Sequence, residues 1–290
     1  MSYEKYTSTT QTPLIIQHAL FGRKENFLSL GKKFHHLTKR SVIVPDARNH
    51  GNSPPCLNPS VKQMSSDLAL LSSQLGVEKT CLLGHATGGR VAMTTALTKP
   101  DLVDKLIVVG SSPLNTTSTL EKWERYRQAC YIVNTLLASH NKTTPINGIV
   151  SSVEGDNGVE FMLEVDNALK STMVDRSERA LFLSNLGKIN TEALLNNPDL
   201  GRFPSLQGNT FNGPTLFITG EKQPTWESDE EVRAIKQLFP TSFFVKASIK
   251  VIIIDGNDRT FQIPGAGHWV HTEKKDDFLA AAVTFLQTEF

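Results

Sequence analysis

Leu82-Leu83-Gly84-His85-Ala86-Thr87-Gly88-Gly89-Arg90 joins an apolar run to a helical pattern, with a glycine two places before Ala86 and another two places after it. Small neighbours at those places let a chain make the strained strand-to-helix turn called a nucleophile elbow, which lifts one side chain clear of a sheet's upper edge. Chemistry at that point needs a group that attacks a carbonyl after a base has taken its proton. Ala86 brings a methyl group, which can do neither. Sliding the register makes Thr87 the nucleophile, but His85 then falls two places before it, where an imidazole clashes in the tight turn. The competing reading of the glycines is a phosphate-binding loop or a plain connection. The Lys-Ser/Thr ending of a P-loop is missing, and Gly84, Gly88 and Gly89 do not fit GxGxxG spacing.

Two distant segments supply what an elbow needs. Pro264-Gly265-Ala266-Gly267-His268-Trp269 puts a histidine in a glycine-rich loop before the final helical pattern, where the order nucleophile, acid, histidine delivers a general base. Its bland alternative is a hydrogen-bonded histidine, and His271 reads as a surface or helix-start residue. Gln17-His18-Ala19-Leu20-Phe21-Gly22 follows the first central strand, where a backbone N–H helps hold an oxyanion. Leu20 and Thr87 are the expected oxyanion donors, and His18, Phe21, His85 and Trp269 the expected pocket residues. Trp123 and Tyr126 either face the cleft or pack.

The elements that must position these residues alternate. Leu14-Ile15-Ile16 predicts a strand, Phe27-Leu30-Phe34-Leu37 a helix, and Val42-Ile43-Val44 a strand ended by Pro45. Met64, Leu68, Leu71 and Leu75 predict a helix that stops at Gly76. Thr80 to Leu83 is a strand, Arg90 to Leu97 a helix and Lys105 to Val109 a strand, a rhythm that predicts a parallel sheet covered on both faces. From about Leu120 to Leu195 strand signals cease. Helices are expected at Glu121–Ala138, Arg176–Leu186 and Thr191–Leu195, joined by polar segments such as Ser151–Gly158. The sheet resumes at Pro214–Ile218, with a helix near Glu230–Phe239, strands near Phe243–Val245, Val251–Ile254 and Phe261–Ile263, and a closing helix at Asp276–Leu286. The expected organisation is a core of residues 1–118 and 206–290 with a helical cap at 119–205.

The chain has 290 residues, 30 Lys+Arg against 29 Asp+Glu, and 39% hydrophobic residues, which removes the clustered cationic excess of a nucleic-acid binder. A chain of this length buries roughly three quarters of its unfolded surface without metal or disulfide staples. Cys56, Cys81 and Cys130 form no CxxC or zinc pattern. No apolar run approaches the ~18 residues of a spanning helix. Residues 1–12 contain Glu4, one Lys and no Arg, unlike a secretory or transit leader, so an intracellular site is expected. The glycosylation patterns at Asn115 and Asn141 are then incidental.

With these loops in hand, the sequence resembles the α/β-hydrolase superfamily, most closely the branch of α/β-hydrolase domain-containing protein 11 and its bacterial esterase relatives. The likeness rests on His18–Gly22 with Asn26-Phe27, on Asp46-Ala47-Arg48-Asn49-His50-Gly51-Asn52-Ser53-Pro54, on Gly84–Gly89 and on Ala266–His271, and it spans nearly the whole chain. The second motif is the most specific, and is expected to be structural, with Asp46 and Arg48 hydrogen-bonding their own loop.

The resemblance implies an α/β-hydrolase fold with a mostly parallel sheet and a helical cap. It also implies cofactor-free hydrolysis of carboxylic esters by Ser, Asp and His, and a cytoplasmic or mitochondrial location. Carried over by position, the nucleophile falls on Ala86, the acid on Gly110 and the base on His268. The alternative acid place offers Glu221 or, further on, Glu227 and Asp229, and Ala19 stands where the family usually has Gly. Losing a triad serine costs on the order of 10⁶ in turnover, leaving ~10³–10⁴ over water, so turnover is expected to be absent or very low. One engineered change would explain Ala86 alone; three departures favour natural drift. The expected ligand is a small acyl ester or lipid-like molecule. The alternatives are a binding or scaffold protein using the same cleft or a cap helix for a protein partner, and proton transfer by His268 without a covalent intermediate.

Overall fold

The computed structural model describes residues 1–8, 11–57, 59–140, 156–206, 208–226, 228–246 and 265–290. Short strands and helices alternate from β1 (Tyr3–Tyr6) and β2 (Leu14–Gln17) through α1 (Leu28–Thr38), β3 (Val42–Pro45) and α2 (Val61–Gln74) to β4 (Thr80–His85), α3 (Thr87–Thr98) and β5 (Val103–Val109). There follow α4 (Thr117–Ser139), α5 (Asp156–Leu169), α6 (Arg176–Asn185) and α7 (Thr191–Leu195). The chain then returns through β6 (Thr215–Thr219), α8 (Asp229–Leu238), β7 (Ser242–Lys246), α9 (Val270–Glu273) and α10 (Lys275–Gln287).

Among the described residues, seven strands form one sheet in the order β1-β3-β2-β4-β5-β6-β7. Every pairing is parallel except that of β1 with β3. β2, β3, β4 and β6 are buried at every position, because helices cover both faces and an unbroken apolar run suits such a strand better than alternation. One apolar cluster unites Leu68 of α2, Val91 and Met93 of α3 and Phe217 of β6 with Phe161 of α5 and Phe182 of α6. The opposite cluster joins Phe34 of α1 to Phe278 and Ala282 of α10. From β2 the chain steps one way to β3 and returns across β2 to β4. Crevices for ligands form outside the carboxyl ends of strands where the order reverses in this way.

The structure adds β1, α5 and the short α9 to the expected set. β1 was not expected from the sequence because it is an exposed edge strand with no buried face; it pairs antiparallel with β3, Tyr3 opposite Pro45 and Tyr6 opposite Val42. α5 begins at Asp156, inside the segment expected to be a polar connection, and buries Phe161, Val165 and Leu169 at helical spacing. Gly158 near its start hid that period. α3 starts three residues before the expected Arg90, directly after the turn, and Leu37 is exposed rather than on the buried face of α1. The expected strands at Val251–Ile254 and Phe261–Ile263 lie outside the described residues.

Candidate active site

Ala86 occupies the bend between β4 and α3 with φ 49° and ψ −115°, a left-handed conformation that L-residues adopt only under constraint. Its N–H donates to Val109 O at 2.9 Å, and its carbonyl receives Arg90 N–H at 3.2 Å as the helix begins. The flanking glycines are required sterically. A Cβ on Gly84 would run into the Gly88 carbonyl, and one on Gly88 into the carbonyls of Gln17 and His18. The loop after β2 therefore rests on the first turn of α3.

That loop is held by imidazoles. His18 donates from Nδ1 to Ala19 O at 2.8 Å and accepts Ala47 N–H at Nε2 at 2.9 Å. His50 donates to Arg48 O at 2.8 Å and accepts Phe21 N–H at 3.3 Å, steadying Phe21 at φ 63°. In the segment from Asp46 to Pro54, Asp46 bonds its own loop, whereas Arg48 reaches across to α2. Buried Asp46 accepts from Lys24 Nζ at 2.7 Å, Lys24 N–H at 2.8 Å and Asn52 N–H at 3.0 Å, and Arg48 forms a two-pronged pair with Asp67, both contacts at 2.8 Å. Among the described residues, neither Leu20 N–H nor Thr87 N–H has a hydrogen-bond partner.

His268 is 9% exposed and sits directly over Gly110, which has φ 58°. A Cβ added to Gly110 would lie 3.3 Å from the His268 Nδ1. Glu273 holds the loop from both sides, accepting Gly267 N–H at 2.8 Å and Trp269 N–H at 3.2 Å. Glu221 accepts Gly265 N–H at 2.9 Å and so serves the loop's backbone, and Asp229 lies in the first turn of α8. Glu227 lies outside the described residues. Among those described, the His268 ring makes no hydrogen bond, to a carboxylate or to any other group.

Beneath His268 lies an imidazole cluster. His85 donates from Nε2 to His268 O at 3.1 Å, and its ring centre is 4.9 Å from that of His268 and 4.5 Å from that of His271. His271 is buried rather than at the surface, stacked on Phe27 at 4.9 Å. Burial holds all three rings in the neutral form, with His85 lowered to about 4 and the other two well below their ordinary value. The charge of Lys122 and the neighbouring imidazoles push His268 the same way. A triad aspartate does the opposite, since it stabilises the imidazolium.

Ala86, Thr87, Gly110 and His268 open into one cavity of about 930 Å³, roofed by α4 and α6. His18, Leu20, Phe21, His85 and Trp269 do not line it. Phe21 packs on Tyr126 at 5.2 Å and on Phe182 at 4.4 Å. Trp123 and Tyr126 do line it. The sequence reading missed the cavity's charged groups. Lys122 pairs with Glu178 at 2.5 Å and lies over the Tyr126 ring at 5.7 Å, and the (i, i+4) spacing of Lys122 and Tyr126 was the available signal. Arg90, on α3, is buried and donates to Gly201 O and Leu114 O; burial lowers it to about 10. Among the described residues no cluster of His, Cys, Asp or Glu is placed to hold a metal.

The alpha/beta hydrolase fold family matches residues 12–275. The chain belongs to that family. It is 35% identical over 285 residues to the sn-1-specific diacylglycerol lipase ABHD11 of Danio rerio, covering 95% of this chain and 78% of that one. The Mus musculus protein of the same name is 32% identical, with 99% and 85% covered. A solved marine microorganism esterase superposes with a TM-score of 0.69 at 25% identity, covering 98% of both chains. This chain is therefore an α/β-hydrolase of the ester hydrolase and lipase type, similar to the ABHD11 proteins, and among its described residues no helix is long and apolar enough to cross a membrane.

Proposed function

We propose that this protein keeps the ligand-binding framework of an acyl-ester hydrolase while lacking its nucleophile and acid, so that it binds acyl compounds and turns esters over negligibly. The observation that carries the reading is the conformation of Ala86. An alanine gains nothing from φ 49° and ψ −115°, yet the bend points its methyl group into the cavity that His268 also enters. Such strain persists where the surrounding fold over-determines it, as at a site inherited from a reacting side chain. Gly110 beneath His268 supports it, because the place from which an acid would reach Nδ1 carries no side chain.

The test is p-nitrophenyl butyrate hydrolysis by the parent chain, Ala86→Ser and Ala86→Ser/Gly110→Asp. The parent should be within about tenfold of buffer and should not react stoichiometrically with a fluorophosphonate probe. The double variant should gain at least about 10³-fold, a small part of the ~10⁶ that a triad serine is worth. Gly110→Asp needs a shift of a few tenths of an ångström in the His268 loop, and Asp is among the residues that tolerate positive φ. No gain in either variant, with both folded, removes the reading.

A further inference from the structure

We propose that His50 is an acid-released latch: as a neutral ring it pins Phe21 beneath α4 and α6, and taking up a proton frees Phe21 and lifts that roof from the cavity. Phe21 is where the loop after β2 meets both helices. Its ring packs on Tyr126 of α4 and Phe182 of α6, and its carbonyl accepts a hydrogen bond from Asn185 Nδ2 of α6 at 2.9 Å. At φ 63° it holds a conformation that a bulky L-residue adopts only under constraint. The constraint on its other side is the bond from Phe21 N–H to His50 Nε2 at 3.3 Å.

That bond exists only while the ring is neutral. A carbonyl cannot donate, so the 2.8 Å contact with Arg48 O fixes a proton on Nδ1 and leaves Nε2 as the bare acceptor. A second proton, on Nε2, sets one N–H against another between two buried residues, and the Phe21 N–H loses its partner. His18 is built alike, with Nδ1 bonded to Ala19 O and Nε2 to Ala47 N–H, and its ring centre lies 5.3 Å from that of His50. The two rings face Asp46 and Arg48 from the end of β3, and Lys24 and Glu25 from the turn before α1. From the chain before α7 comes Ile189, bridged to His50 beside the exposed Lys188. Asp46 favours a proton on either ring, but it is committed to Lys24 and Asn52 N–H, and Arg48 is committed to Asp67. Burial and the second imidazole prevail, bringing His50 to about 3. Opening returns the ring to a value near 6.5, so the opening constant rises as the pH falls, about tenfold from pH 7.5 to 5.5.

Hydrogen exchange of the intact protein, read by mass spectrometry at pH 7.5, 6.5 and 5.5 and corrected for the intrinsic pH dependence of exchange, tests the latch. Protection of residues 20–23 and 180–185 should fall together by about tenfold from pH 7.5 to 5.5, while β4 stays protected. His50→Gln offers an amide oxygen to Phe21 N–H and takes up no proton. It should match the parent within about threefold at pH 7.5 and keep that protection at pH 5.5. Carbon-13 shifts of the parent's His50 ring give a second measure that needs no variant: the ring should become protonated only in step with the loss of protection. Unchanged protection in the parent at pH 5.5, an equal loss in His50→Gln or a loss confined to residues 20–23 overturns the proposal. So does a parallel loss in β4, or a protonated His50 beside a Phe21 that stays protected.

Discussion

The conformation of Ala86 makes a stability prediction that runs against ordinary substitution rules. Glycine usually weakens a chain relative to alanine through unfolded-state entropy, by about 0.4–1 kcal/mol. At φ 49° and ψ −115°, the alanine itself is strained, at a cost on the order of 1–3 kcal/mol. Ala86 N–H and carbonyl are both bonded by the backbone, so glycine keeps those bonds and sheds only the strain. Ala86→Gly is expected to stabilise the protein by about 1 kcal/mol, a rise of roughly 2 °C in the melting temperature by calorimetry. A fall would mean that the bend is relaxed in solution. The residue types of the site were legible in sequence because an elbow demands glycines at fixed offsets, and Gly84 and Gly88 meet that demand by direct backbone contact. The cavity's charges were not legible, since Lys122 and Glu178 come from separate helices and meet only through tertiary packing.

Between elements, the tie between Lys24 and Asp46 joins the turn before α1 to the end of β3, with both side chains almost wholly buried. Breaking a buried pair by removing one charge costs about 3–5 kcal/mol, because the other is left unanswered. Lys24 keeps Glu25 as a second partner at 3.2 Å, so Asp46→Asn is expected to cost less than that, about 2 kcal/mol, and to lower the melting temperature by roughly 5 °C. Burial pushes the Asp46 carboxyl up, but the N–H groups of Asn52 and Lys24 and the Lys24 ammonium outweigh it and bring it below its usual value. The parent's advantage over Asp46→Asn should then be full above about pH 5 and shrink only as the pH falls below the ordinary carboxylate range. Elements buried on both faces were readable from sequence because their apolar runs are unbroken, as at Val42–Pro45 and Thr80–His85. β1 was not, since its residues face solvent and only pairing with β3 makes it a strand, and α5 was obscured by the polar residues before its buried stripe.

Across the whole molecule, five histidines are buried with lowered pKa values: His18, His50, His85, His268 and His271, burial being the largest cause in each. His50 is brought to about 3 and His85 to about 4. Unfolding releases each ring to a value near 6.5, so between about pH 4 and 6 the unfolded chain binds protons that the folded chain does not. Stability therefore rises with pH through that window, is full above about pH 7, and falls on acidification by as much as about 1.4 kcal/mol per pH unit for each ring. His271 allows a clean test, because its ring makes no hydrogen bond among the described residues and stacks on Phe27 beside Phe278. His271→Phe keeps an aromatic ring in that apolar place and removes one titrating group. Urea unfolding at pH 7.0, 6.0 and 5.0 should show little change at pH 7.0 and a pH dependence shallower than the parent's by about one proton. An unchanged slope would mean that His271 is solvated in the folded state and that the imidazole cluster beneath His268 is open to water.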